Sequence, residues 1–220
     1  DLILQKRVFQ NQISISGTIN LFKRNQFIEK DGASYLLHHL DLMDESREQN
    51  LTFYENRKNL LVTDLESGET KNILPFPDGS KFLSGKAFPF EDMRPVFHFD
   101  EIEGKLYLIY QNEPILYTYD WTDDEPKLIE VLSLELEDFY EHDGWEFSAV
   151  PFGTMNSRQL KSPFASEILS LDKINDRLLI TYKPGPAPDQ RISWERVNKG
   201  EGDESLKAKV IEAAKERSVI

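Results

Sequence analysis

Two stretches of this chain, 56 positions apart, superpose without a gap: LTFYENRKNLLVTDLESGETK at residues 51–71 and YLIYQNEPILYTYDWTDDEPK at residues 107–127. They share Tyr54/Tyr110, Asn56/Asn112, Leu60/Leu116, Asp64/Asp120, Glu69/Glu125 and Lys71/Lys127. Ordinary residue usage gives about one or two identities by chance over such a window. The order of residue types repeats as well. Each copy passes from alternating apolar residues through a polar turn (ENRK or QNEP) to a second apolar run ending in Asp, then to another polar turn and Lys. Period-two alternation bounded by Asn, Asp, Gly and Pro is the signature of consecutive β-hairpins. A repeated strand-and-turn unit cannot hide both of its faces alone, so it predicts an all-β chain of stacked antiparallel sheets.

A third copy joins the first two. FDEIEGKLYLIY (99–110) lies over LDKINDRLLITY (171–182), matching Asp100/Asp172, Ile102/Ile174, Leu106/Leu178 and Tyr110/Tyr182, and Asp44 precedes a similar polar turn. The middle unit reads most clearly, with strands over 94–99, 106–110, 115–120 and 127–136. In the last of these, Leu132, Leu134 and Leu136 fall on one face and Ser133, Glu135 and Glu137 on the other. Units are expected over about 34–75, 94–136 and 166–200, with an incomplete one in ISISGTINLF (13–22). GDESLKAKVIEAAKERSVI reads as a helix over about 203–217, with Asp203 as N-cap and Leu206, Val210, Ala213 and Ala214 in one apolar stripe.

With 220 residues, 39% of them hydrophobic, the chain can build a core without covalent staples. Its formal charge of −13 repels phosphate backbones and anionic bilayers, and its 26 Lys and Arg are dispersed among 39 acids, so nucleic acid is not an expected partner. There is no cysteine, which removes disulfides, thiolate nucleophiles and zinc–thiolate sites. No apolar run approaches the roughly 20 residues of a membrane helix. The chain begins at Asp1 without an initiator Met, and a trimmed or processed N-terminus is expected.

The run Gly104–Lys105–Leu106–Tyr107, followed by Ile115–Leu116–Tyr117–Thr118–Tyr119–Asp120, resembles blades of the TolB-like and YVTN-like β-propellers. Over about residues 34–190 the wider pattern is similar to uncharacterised six-bladed propeller proteins, often exported bacterial lipoproteins. That resemblance implies a β-propeller of four-stranded antiparallel blades and a periplasmic or cell-surface setting. Six blades of about 45 residues exceed this chain, so the propeller is expected to be partial here, with a four- or five-bladed ring as the alternative. The pattern departs after Tyr182, at KPGPAPDQ.

By analogy with propellers, function would gather on two long connections, residues 75–93 and 137–163. The second carries Tyr140, His142, Asp143, Trp145, Phe152 and Arg158, and Tyr140, His142, Asp143, Trp145 and Arg158 are the candidate ligand-binding set. A mixture of this kind suits sugars, peptides or other partly apolar ligands, and the expected partner is a small molecule, a glycan or a protein. The competing reading is that the aromatics pack the connection onto the scaffold.

Other residues are weighed against structural roles. His38 and His39 are adjacent, so on a strand they face opposite ways and cannot share a metal; His98 stands opposite Phe97 and Phe99. Asp44, Asp64, Asp100, Asp120 and Asp172 recur at turn positions, where a carboxylate accepts backbone N–H bonds. Glu135, Glu137, Asp138, Glu141 and Asp143 could supply a glycosidase pair, but clustered acids in an acidic chain are more often solvated. No DxDxDG, GxSxG, HExxH, Walker or GxGxxG pattern occurs. The sequence thus points to a non-enzymatic binding module with no cofactor, metal or catalytic residue. A hydrolase on the same scaffold (glycoside hydrolase or metal-dependent lactonase type) and a structural domain of a larger assembly are the alternatives.

Overall fold

The computed structural model describes residues 17–18, 25–39, 41–42, 50–149, 165–186, 190, 192–193, 196–197 and 200–217. The predicted strand pattern at 13–22 lies, apart from Gly17 and Thr18, outside these residues, as do Asp44, Phe152 and Arg158. Asp31 and Gly32 both take positive φ (53° and 79°), and this two-residue turn closes a hairpin between β2 (Gln26–Lys30) and β3 (Ala33–His38). β3 pairs with β5 (Lys58–Asp64), and β5 with β6 (Thr70–Pro75), giving an antiparallel sheet in the order β2-β3-β5-β6. A second sheet is a simple meander of β7 (Pro95–Asp100), β8 (Lys105–Tyr110), β9 (Glu113–Asp120) and β10 (Lys127–Ser133). Two shorter sheets pair β1 (Gly17–Thr18) with β4 (Asp41–Leu42), and β11 (Glu167–Ile174) with β12 (Arg177–Lys183).

Alternation along the second sheet divides the core in two. Phe97, Phe99, Leu106, Leu108, Tyr110, Tyr117 and Tyr119 face the first sheet, where they meet Ile28, Leu37, Leu60 and Ile73. Val96, Tyr107, Ile109 and Leu116 face the other way, onto Ile168 and Leu171 of β11. The meander therefore lies between two layers. β10 is its edge, and all seven of its residues are exposed; only Leu134 and Leu136 beyond it pack inward. Each fully covered Leu, Ile or Phe contributes roughly 1.5–3 kcal/mol, so the two-sided face is where most of the stability accrues.

The architecture is all-β and antiparallel, with a short C-terminal helix, α2 (Glu204–Arg217). Asp203 caps α2 by accepting the Leu206 N–H at 2.8 Å, and Val210 is its buried contact. The expected β-propeller is not formed. The described sheets have four, four, two and two strands, none closes on itself, and they are not arranged as blades around an axis. The likeness to TolB-like and YVTN-like propellers is corrected on the same ground, and the periplasmic or cell-surface setting loses the support it drew from that likeness.

The repeat misled for local reasons. Tyr110 ends a strand, whereas Tyr54 lies on a helix, α1 (Leu51–Asn56), begun by Asn50, whose side chain accepts the Phe53 N–H at 2.9 Å. The third pair differs too: β7–β8 turns through four residues after Asp100, but β11–β12 turns through two, Asn175 and Asp176, so Asp172 sits within β11 and completes no turn. Its neighbour Lys173 reaches Asp100 and Glu103, each at 2.5 Å, and staples β11 to the β7–β8 turn. The genuine common element is the third strand ending in Asp, β5 and β9.

Gly104 brings two turns together. Its φ is +64°, and a Cβ there would lie 2.8 Å from Thr122 Cγ2 of the β9–β10 turn. Gly104→Ala is expected to cost about 1–3 kcal/mol, from positive-φ strain plus the clash. Adding Thr122→Ser removes the offending methyl and should recover part of that loss but not all, as read from urea midpoints; full recovery would show that backbone strain is absent.

Candidate functional site

Three hairpin tips meet at one end of the two large sheets: Asp31–Gly32, residues 65–69 after β5, and residues 121–126 after β9. Two of these tips, and the neighbouring β7–β8 turn, are shaped by an acid at a strand end. Asp64 accepts the Glu66 and Ser67 N–H groups at 2.9 and 2.7 Å, Asp120 accepts Thr122 N–H and Oγ1–H at 3.0 and 2.8 Å, and Asp100 accepts the Ile102 and Glu103 N–H groups at 2.9 and 3.1 Å. All three carboxyls are held below the usual carboxylate range, Asp64 chiefly by the Ser67 N–H, Asp100 chiefly by the Lys173 ammonium and Asp120 chiefly by the Thr122 hydroxyl. Asp64, Asp100 and Asp120 are turn-builders.

Between these tips opens a cleft of about 720 Å³. Tyr35, Val62, Ile73 and Trp121 give it apolar surface, and Lys30, Asp31, Asp64, Glu69, Thr70, Lys71 and Asp124 give it polar surface. Trp121 is positioned twice over: its backbone N–H donates to Gly104 O at 2.8 Å, and its ring meets Phe99 edge-to-face at 5.3 Å. The two sheets that form the walls are tied by Gln26. Its side-chain amide donates to Phe99 O at 2.7 Å and accepts the Phe99 N–H at 2.8 Å, standing in for a ladder pair between β2 and β7. Lys30 pairs with Asp31 at 2.6 Å, and Lys71 reaches across the tips to Glu125 at 3.4 Å.

The described members of the candidate ligand-binding set, Tyr140, His142, Asp143 and Trp145, stand elsewhere, at the far end of the meander, and do not line this cleft; Arg158 lies outside the described residues. Tyr140 is half-buried, with its N–H donating to Ser166 Oγ at 2.7 Å. Trp145 exchanges two backbone bonds with Ala87, at 2.7 and 2.9 Å. Asp143 is exposed, and His142 is buried. Aromatics of the two connections enter the core: Phe76, Phe82, Phe88 and Phe90 are buried, and Phe147 packs against them.

What seats the connection is Asn112, in the β8–β9 turn. Its Nδ2 donates to Ser166 O at 2.7 Å and Tyr140 O at 3.2 Å, and its Oδ1 accepts from His142 N–H at 2.6 Å and Lys81 Nζ at 2.7 Å. The Lys81 ammonium also donates to Asn112 O and His142 O and lies 3.5 Å from Glu141. Burial pulls the Lys81 pKa down, against the pull of Asp92, Glu141 and Glu113. Beside it, Glu113 accepts from Ser80 Oγ, Lys81 N–H and Tyr117 OH, and burial raises its carboxyl above the ordinary value. Most of this polar cluster is covered, and its hydrogen bonds run among its own members and the backbone, an arrangement suited to holding the connection in place.

The histidines follow suit. His38 Nε2 meets Thr63 Oγ1 at 3.0 Å and His39 Nδ1 meets Asn59 O at 3.1 Å, both buried on opposite sides of the strand end. Among the described residues no three His, Asp or Glu side chains come together around one point. The Gly144 N–H donates to His142 Nδ1 at 3.3 Å, so the ring is neutral there. The Asp92 carboxylate at 3.7 Å is too far to hydrogen-bond that nitrogen.

No protein-family model matches the chain, and no curated protein matches it. Among solved structures it is similar to a member of the DUF4221 family from Bacteroides vulgatus, with a TM-score of 0.49 and 12% sequence identity over 76% of this chain. The match covers 44% of that protein, so the chain spans less than half of its neighbour's length.

Burial, with the Lys81 cation second, pushes His142 from 6.5 down to about 4. The unfolded chain therefore takes up this proton first as pH falls, and stability is lost between about pH 6.5 and 4, by about 3 kcal/mol in all. His142→Asn should lack this component: urea midpoints of wild type and variant converge as pH falls from 7 to 4. Parallel pH profiles would contradict a neutral, buried ring.

Proposed function

We propose that the chain is a non-enzymatic binding module whose ligand, a small molecule, glycan or short peptide, seats in the cleft between the three hairpin tips. One observation carries this reading. The cleft, about 720 Å³, falls within the range of small-molecule sites and joins apolar surface from Tyr35, Val62, Ile73 and Trp121 to charged groups at fixed turns. Its walls come from rigid strands and capped turns, so a ligand would pay little to order them. The Asp64 carboxyl is committed to its own turn and held in its ionised form, which suits a fixed charge and not a proton donor.

Thr70 offers the means to test it, since it is exposed and lines the cleft. Thr70→Trp should fill the space and weaken by at least tenfold any ligand found by screening soluble glycans, dipeptides and aromatic metabolites against the indole fluorescence, with the thermal midpoint kept within about two degrees. Ligands that bind Thr70→Trp as tightly as wild type would place the site elsewhere and overturn the reading.

A further inference from the structure

Resting on that reading, we infer that the cleft selects an organic cation: a primary ammonium or guanidinium carried on an apolar stem. Four carboxylates, Asp31, Asp64, Glu69 and Asp124, line it against two ammoniums, Lys30 and Lys71. Both ammoniums are engaged within the protein, Lys30 by Asp31 at 2.6 Å and Lys71 by Glu125 at 3.4 Å. Asp64 is engaged by its turn. That leaves Glu69 from the first sheet and Asp124 from the second, whose carboxylates make no hydrogen bond or ion pair among the described residues.

An incoming ligand meets three features together. Two carboxylates without a partner among the described residues come from separate sheets, a largely buried tryptophan contributes to the lining, and the chain as a whole carries a charge of −13. Indole is the best of the aromatic partners for a cation, and a negative cleft concentrates cations ahead of anions. A carboxylate ligand would face Glu69 and Asp124 with no unengaged ammonium to receive it. A neutral ligand gains only the apolar contact. The stem fits against Val62, Ile73 and Tyr35, and the charge sits at the rim.

The probes are phenethylamine and the capped dipeptide acetyl-Phe-Lys-amide, set against 2-phenylethanol and phenylacetate and titrated calorimetrically into the full chain at 20 and 500 mM salt. At least one of the two cations is expected to bind ten times more tightly than both other analogues and to weaken severalfold at high salt. Whichever cation is tighter tells a free amine from a peptide side chain. Glu69→Gln combined with Asp124→Asn should lower cation affinity at least tenfold with an unchanged thermal midpoint, whereas Lys71→Gln, which removes a competing ammonium, should raise it. If phenylethanol or phenylacetate binds as well as the amines and Thr70→Trp abolishes that binding, the cleft stands as a site but the cation preference is overturned. If amines bind and Thr70→Trp leaves that binding intact, both readings fall. Failure of all four probes to bind overturns the cation preference.

Discussion

A meander whose inner strands are covered on both faces cannot exist alone, and that constraint organises this protein. Along β8 the residues after Lys105 are buried in unbroken succession, Leu106, Leu108 and Tyr110 to one side and Tyr107 and Ile109 to the other. Two-sided burial obliges a sheet to be sandwiched, so β2-β3-β5-β6 covers one face and β11–β12 the other. The ends of the meander are then fixed by different chemistry. At one end Asn112 satisfies four polar partners inside the protein; at the other, Asp-capped turns and Gly104 crowd together beside Trp121. The first end is closed and the second is open, and the cleft lies at the open end.

This asymmetry separates the proposed cleft from the more conspicuous chemistry at the closed end. The cluster of Lys81, Glu113 and His142 has the perturbed protonation that often marks an active site. Glu113 and His142 are nevertheless buried and Lys81 is mostly covered, and their hydrogen bonds to neighbouring side chains and backbone lock a long connection in place. The groups at the cleft are ordinary by comparison, two unengaged carboxylates and a tryptophan edge-on to a phenylalanine. Their significance comes from position, since three turns distant in sequence converge there.

Much of the middle sheet was legible in the residues. Alternation placed β7, β8 and β9 to within about two residues, and the recurring Asp64, Asp100 and Asp120 behave as turn acceptors. The first unit was not legible, because Leu51–Tyr54 has the aromatic and β-branched content of a strand while Asn50 supplies a helix cap and Tyr54 accepts the Phe88 N–H at 2.7 Å from a distant connection. Tertiary contact decided between two local options. Ring closure was inferred from a repeat that only the third strands share. The cleft was beyond reach for a related reason: its walls depend on Gln26 meeting Phe99, 73 residues away, and no periodicity encodes that. The Asp31–Gly32 dipeptide was a readable hairpin signal that would have located one of its three tips.

The central claim is that the open, acid-turned end of the sandwich, and not the long connections, receives the ligand. Backbone and indole NMR shifts recorded during a phenethylamine titration test it most directly. Perturbations are expected only at residues 30–35, 62–73 and 121–125, with the Trp121 indole moving and the Trp145 indole still. Shifts centred on Tyr140–Trp145, with the three hairpin tips silent, would contradict it.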